Sequence, residues 1–209
     1  MKSILTLLVG FLLLTNNSFS QCTKKGDIEG KVGFGFGIYN LANNDETEQN
    51  SGGVPGLITI SSAYALGNKW SLGIQYERNG FLTNKDSSDA ARSHNLGLAG
   101  TYRFVNREKV AFYVDLILGI SSFTYEKNQT NETLDKVTSS GSNLQLGLGM
   151  KQYFGQHIGW FWELAFTNYS YKKFTNKDGD VLKTDDGKFN NLEIKMTGGN
   201  LRVGVCYKF

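Results

Sequence analysis

From Leu201 to Phe209 a large apolar side chain occupies every second position: Leu201, Val203, Val205, Tyr207 and Phe209, with Arg202, Gly204, Cys206 and Lys208 between them. A period of two marks a β-strand whose two faces meet different surroundings. The pattern recurs about eight times. A first strand over Lys31–Asn40 sets Val32, Phe34, Phe36 and Ile38 against Gly33, Gly35 and Gly37. A second over Gly56–Leu66 sets Ile58, Ile60, Tyr64 and Leu66 against Thr59, Ser61, Ala63 and Ala65. The third carries Trp70, Leu72, Ile74 and Tyr76, and the fourth Leu96, Leu98, Tyr102 and Phe104. The fifth runs from Val110 to Ser121, the sixth carries Leu144 to Met150, and the seventh Trp160 to Phe166. In the eighth, Leu192, Ile194 and Met196 keep one phase and Leu201 to Phe209 the other; the slip at Gly198-Gly199 predicts a β-bulge.

The connections alternate in length. Polar loops are predicted at Leu41–Pro55, Asn79–Arg92, Tyr125–Ser140 and Tyr171–Asn190, and tight turns at Gly67-Asn68-Lys69, Asn106–Lys109 and Gly155–His157. In up-and-down antiparallel order this gathers the loops at one rim and the turns at the other. The fold class predicted is all-β: an antiparallel, up-and-down, eight-stranded transmembrane β-barrel.

The direction of the faces follows from cost. One face is bulky and apolar; the other holds small residues, hydroxyls and the charges Glu77, Arg103, Asp115, Lys151, Glu163 and Arg202. A soluble ligand-binding barrel needs an apolar interior, which small and charged residues cannot make. A cation turned into lipid at mid-depth costs about 2–4 kcal/mol. The charged face is therefore predicted inward, where the six charges form a paired network that fills a lumen only side-chain wide. Aromatics are predicted as interfacial girdles: Trp70, Phe104, Phe112, Trp160, Tyr207 and Phe209 at the turn end, and Tyr39, Phe123 and Tyr169 at the loop end.

Composition agrees with a barrel. There are 25 Gly and a single Pro, as ladders tolerate few prolines. A mean hydropathy of −0.31 excludes a helical membrane bundle. The net charge is only +3, with basic and acidic residues interleaved, which argues against nucleic acid as a partner. Residues 1–20 read as a signal peptide: Lys2, the apolar run Ile4 to Leu14, a polar exit, and cleavage near Ser20/Gln21. The rival is a lipoprotein signal ending at Cys22, which Gln21 disfavours because it is not small. Residues 21–29 form an N-terminal periplasmic lead and 30–209 the barrel. Cys22 and Cys206 either pair as a disulfide or stay as thiols.

The terminal run Leu201-x-Val203-x-Val205-x-Tyr207-x-Phe209 is similar to the signal that outer-membrane barrels present to their assembly machinery. Over about residues 30–209 the chain resembles the small eight-stranded outer-membrane proteins of the OmpX type and the OmpA transmembrane domain. The Gln after the cleavage site resembles a Bacteroidetes habit. The resemblance implies the outer membrane of a Gram-negative cell, a monomer, lipid and lipopolysaccharide as surroundings, and the barrel assembly machinery as a partner. It names no ligand for the loops.

Catalytic signal is thin. Lipid A deacylases of similar size use a rim His with a nearby Ser and a carboxylate, which makes His94 in Ser93-His94-Asn95 the one candidate; Ser93 has the opposite phase. His157 reads as a turn residue. Asp178-Gly179-Asp180 and Asp185-Asp186-Gly187 read as turns rather than a metal site, and no cofactor is expected. The expected function is a non-enzymatic structural, binding or adhesive role in the envelope, with a narrow passive channel second and a lipid A-modifying enzyme third.

Overall fold

The computed structural model describes residues 21–44, 51–81, 90–127, 135–184 and 190–209. The predicted signal segment, Asp45, Glu46 and Glu48, and Asp185-Asp186-Gly187 lie outside them. Every element is a strand: β1 Ile28–Asn43, β2 Ser51–Gly53, β3 Pro55–Ala65, β4 Trp70–Phe81, β5 Ala90–Asn106, β6 Val110–Lys127, β7 Asp135–Tyr153, β8 Ile158–Thr175 and β9 Glu193–Lys208. From β3 onward each strand pairs antiparallel with the next, and β1 pairs with β9 from Glu29↔Lys208 to Asn43↔Ile194. That last pairing closes the sheet. The three-residue β2 and β3 both pair with β1 on the same side, so they occupy one wall position. The result is a closed, eight-stranded, up-and-down barrel.

Bulky apolar side chains cover its outside. Phe34, Leu98 and Ile120 are 67%, 64% and 68% exposed. On β6 the outward row Phe112, Val114, Leu116, Leu118, Ile120 spans eight intervals of about 3.4 Å. At a tilt of about 40° it rises roughly 21 Å, close to the ~25 Å apolar band of a membrane barrel. Beyond the band the outward residues turn polar at one level: Asn40, Arg78, His94, Ser122, Ser142, Asn168 and Thr197.

The strands continue past that level, so the four loops are shorter than predicted; β6, for example, runs to Lys127 and β7 starts at Asp135. Above the band the contrast inverts, with polar side chains outward and apolar ones inward, so the row read as lipid-facing ends there while the ladder hydrogen bonds persist. The turns fall as expected, closed by Leu66 N–H to Trp70 O (2.9 Å), Arg107 N–H to Val110 O (2.9 Å) and Phe154 N–H to Ile158 O (2.9 Å).

Two expectations fail. The bulge at Gly198-Gly199 is absent: β9 keeps unbroken register with both neighbours. Leu192, Ile194 and Met196 lie in the same inward row as Asn200, Arg202 and Cys206. The apparent slip arises because the interior itself changes, from polar at mid-barrel to apolar near the loops. For the same reason Tyr39, Tyr169 and Phe123 belong to no outer girdle. Tyr39 and Tyr169 are buried within the barrel, and Phe123 packs against the same inner cluster. Real irregularities lie elsewhere, between Arg103 and Val105 on β5, and on β8, where Lys173 adopts φ 65° and adds one residue opposite β7.

Candidate functional site in the barrel lumen

All six predicted charges point inward and are buried; Arg103 is 0% exposed and Arg202 1%. They split into two networks, each completed by a β1 residue that sequence reasoning missed. Near the turn end Glu29 is the hub. It accepts from Arg103 (2.7 Å), Lys151 (2.7 Å), the Thr23 hydroxyl (2.7 Å) and the Tyr153 hydroxyl (2.9 Å). Arg103 also donates to Ser71 (2.5 Å). At mid-barrel Arg202 donates to Glu77 (2.5 Å) and Glu163 (2.9 Å), while Lys31 reaches Asp115 (3.1 Å) and Glu163 (3.4 Å). Neutral donors fill in: Tyr113 to Glu163 (3.1 Å), Tyr169 to Glu77 (2.5 Å) and Asn95 to Glu77 (3.3 Å). Glu29 sits in the stretch read as a lead, and Lys31 shares the phase of Gly33, Gly35 and Gly37; that shared phase was the signal available for both.

Among these lumen residues the four carboxylates Glu29, Glu77, Asp115 and Glu163 meet the four cations Lys31, Arg103, Lys151 and Arg202. Charges removed from water are tolerable only when paired and hydrogen-bonded, which is why the strands place opposite signs on facing inward positions. Inward glycines make room for the larger partners: the ring of Tyr113 lies over Gly149, and that of Phe161 over Gly33.

Toward the loops the lumen becomes apolar. Tyr39, Tyr169, Tyr171, Phe174 and Met196 form a buried cluster, joined by Leu41, Phe81, Phe123, Val137, Leu182, Leu192 and Ile194. The left-handed Lys173 lets Phe174 turn in. Beyond it the chain folds over the opening, held by Leu182 N–H to Phe174 O (2.8 Å) and Leu192 N–H to Leu182 O (3.0 Å). Below this lid Asn79 donates to the Tyr169 and Ser93 hydroxyls (both 3.1 Å), and Ser121 bonds Asn95 and Tyr171.

At the opposite end residues 21–27 tuck into the mouth. Cys22 N–H donates to Arg107 O (3.0 Å), Asn106 Nδ2 to Thr23 O (2.7 Å) and Lys208 Nζ to Cys22 O (2.6 Å). Cys22 and Cys206 are free thiols within one buried cluster that also holds Ala111, Tyr153 and Phe161.

His94 lies outside, on the outward face of β5. Its Nδ1 pairs with the Tyr76 hydroxyl (2.7 Å), and the rings stack at 6.1 Å. Ser93 faces the lumen and bonds Asn79, so the two cannot act as base and nucleophile. His157 holds Lys208 O (2.8 Å) and stacks on Tyr207. Asp178 and Asp180 belong to a turn in which Asn176 Oδ1 accepts from both backbone N–H groups, at 3.0 and 2.8 Å. No three His, Cys, Asp or Glu side chains among the described residues converge as a metal site. The terminal residues Val205 and Tyr207 stand outward on β9, and Phe209, just past its end, is exposed.

No protein-family description matches the chain, and no curated protein sequence does. Solved structures do match in fold. The outer membrane protein OprG from Pseudomonas aeruginosa superposes with a TM-score of 0.56 at 13% identity, over 89% of this chain and 97% of that one. Neisserial surface protein A superposes with a TM-score of 0.52 at 12% identity, over 87% and 98%. At such identities the likeness is one of fold, and the fold is that of small outer-membrane β-barrels.

Proposed function

We propose that the chain is an integral outer-membrane barrel whose lumen is a sealed, charge-paired core, and that it works non-enzymatically from its loop side, in a structural, binding or adhesive envelope role. The observation that carries this reading is closure at three levels. The lead and Glu29 cross the turn-end mouth, with a recess of about 570 Å³ beside them, ion pairs cross the middle, and an aromatic lid covers the loop end. A core packed in this way makes the barrel a rigid post. Its exposed chemistry lies on the loops, which face the exterior, while the short turns and the lead face the periplasm.

Within this reading the segment before Gln21 is removed on export, Leu201 to Phe209 serve as the assembly signal, and the mature barrel is a monomer surrounded by lipid and lipopolysaccharide. The test is conductance in planar bilayers. The purified barrel holds the current at baseline across ±100 mV (an applied range); reproducible unitary steps would overturn the sealed lumen and restore the channel. Mass spectrometry of lipid A from cells with and without the protein shows the same acyl pattern; a lost or gained chain would make it an enzyme.

A further inference from the structure

The outer wall is notched where β8, β9 and β1 meet. Phe36 and Ile38 of β1 and Leu164 and Phe166 of β8 flank Gly199 of β9 and leave a groove of about 390 Å³. The two adjacent glycines there differ in what demands them. Gly198 faces inward, where a Cβ would collide with the Ile38 carbonyl and the Tyr39 ring. Gly199 faces outward, where a Cβ would meet only the Ala165 carbonyl oxygen at 3.8 Å. Packing of the wall does not require glycine at 199. What the missing side chain leaves is the groove.

Above the groove the same strands turn polar and then basic. β9 presents Thr197 and then Lys195; β8 presents Asn168 and, two outward positions further, Lys172. Lys195 opposes Ser170 and Lys172 opposes Glu193, so the lysines are diagonal neighbours on the outer face, roughly 7–8 Å apart at Cα. Glu193 faces the same way. Neither lysine is in an ion pair with a described residue. Lys195 lies four residues from Gly199, about 14 Å along the strand.

We propose that this groove seats one acyl chain of a net-anionic membrane lipid, with the lipid phosphate held by Lys195 and Lys172. The inference rests on the outer wall facing lipid and is independent of whether the lumen conducts. In a bilayer a greasy surface attracts no particular chain, because lipid tails are as apolar as leucine. A hollow is different. Its walls forfeit dispersion contacts unless something of matching shape lies in it, and a single extended chain supplies them. The lysines then choose the headgroup, since a cation at the interface favours an anionic lipid.

The test uses the detergent-solubilised mature barrel, delipidated and offered equal amounts of phosphatidylglycerol and phosphatidylethanolamine with identical chains, read by native mass spectrometry. The wild type retains one lipid, with phosphatidylglycerol favoured by about tenfold. Gly199→Leu fills the groove and lowers retention at least about tenfold. The control Gly100→Leu, at an outward glycine of β5 whose Cβ would meet only the Leu116 carbonyl at 3.9 Å, retains lipid as the wild type does. Lys195→Glu with Lys172→Glu keeps a bound lipid and loses the preference. Heat-dependent gel mobility verifies folding of each variant. Equal retention by G199L and wild type overturns the seat, and equal binding of the two lipids by the wild type overturns the phosphate contact.

Discussion

Replacing Arg202 with methionine removes the cation at the centre of the lumen while keeping most of its stem. Two carboxylates lose a partner, unequally. Glu163 retains Lys31 at 3.4 Å and the Tyr113 hydroxyl at 3.1 Å. Glu77 is left with the neutral donors Tyr169, Asn95 and Gln145, at 2.5, 3.3 and 3.4 Å. The uncompensated charge is therefore that of Glu77, and stripping one partner from a buried pair costs about 3–5 kcal/mol. Glu77→Gln leaves Arg202 with Glu163 and exchanges a charged for a neutral acceptor, at about 1 kcal/mol. The double variant loses one anion and one cation, so the charge balance of the network is unchanged; its cost falls to about 1–2 kcal/mol. The coupling between the two sites is thus about 2–5 kcal/mol. Urea unfolding of the barrel in lipid vesicles measures it, followed through the outward Trp70, Trp160 and Trp162 and analysed by linear extrapolation. A cost below about 1 kcal/mol for R202M, in the range of an exposed ion pair, or a double variant equal to the sum of the singles, would refute the reasoning.

Glu29→Gln strands two buried cations, Arg103 and Lys151, and should cost about 3–5 kcal/mol in the same titration; because Thr23 loses its charged acceptor, trypsin should also cut faster after Lys24 and Lys25, and unchanged digestion would count against the lead as a plug. Phe174→Ala removes a ring from the lid cluster at about 3–5 kcal/mol; a loss under about 1 kcal/mol would mean that the lid is not packed core. Burial raises the Cys22 thiol above its ordinary value and so keeps it protonated through mildly alkaline pH. Iodoacetamide at pH 8 should label it slowly in the folded barrel and rapidly in urea; rapid labelling of the folded protein contradicts that burial.

The barrel was legible because its band is a long two-sided contrast. In Leu144 to Lys151 or Trp162 to Phe166 each residue type gives away its face, and closure then dictates antiparallel order. Glu77, Arg103, Asp115, Lys151, Glu163 and Arg202 were legible for the same reason: each falls in the phase opposite to the bulky apolar row of its strand. What sequence missed had a local cause. Glu29 fell in the stretch read as a lead and Lys31 at the first position of the predicted strand, so neither was read by its phase, and pairing across the lumen is a long-range fact: Glu29 and Lys151 are 122 residues apart. Tyr39, Phe123 and Tyr169 were misplaced by favouring residue type over phase. An aromatic ring near a rim suggests lipid, yet Tyr39 shares the parity of Gly37, Phe123 that of Ser121, and Tyr169 that of Thr167, all inward. Leu192 to Met196 show the converse error: apolar side chains were taken to face lipid, although at that height the interior is the apolar side.

A pair of nitroxide labels on neighbouring residues of β7 addresses the orientation and filling of the barrel together. Gln145→Cys and Leu146→Cys, each with Cys22 and Cys206 replaced by serine, are compared in vesicles for relaxation by oxygen, which partitions into lipid, and by a water-soluble nickel chelate. The label at 146 should be relaxed strongly by oxygen and weakly by nickel, and the label at 145 weakly by both, since Leu146 lies outward, 53% exposed, and Gln145 is buried. Oxygen reaching 145 in place of 146 would reverse the faces, and nickel reaching 145 would mean a water-filled lumen.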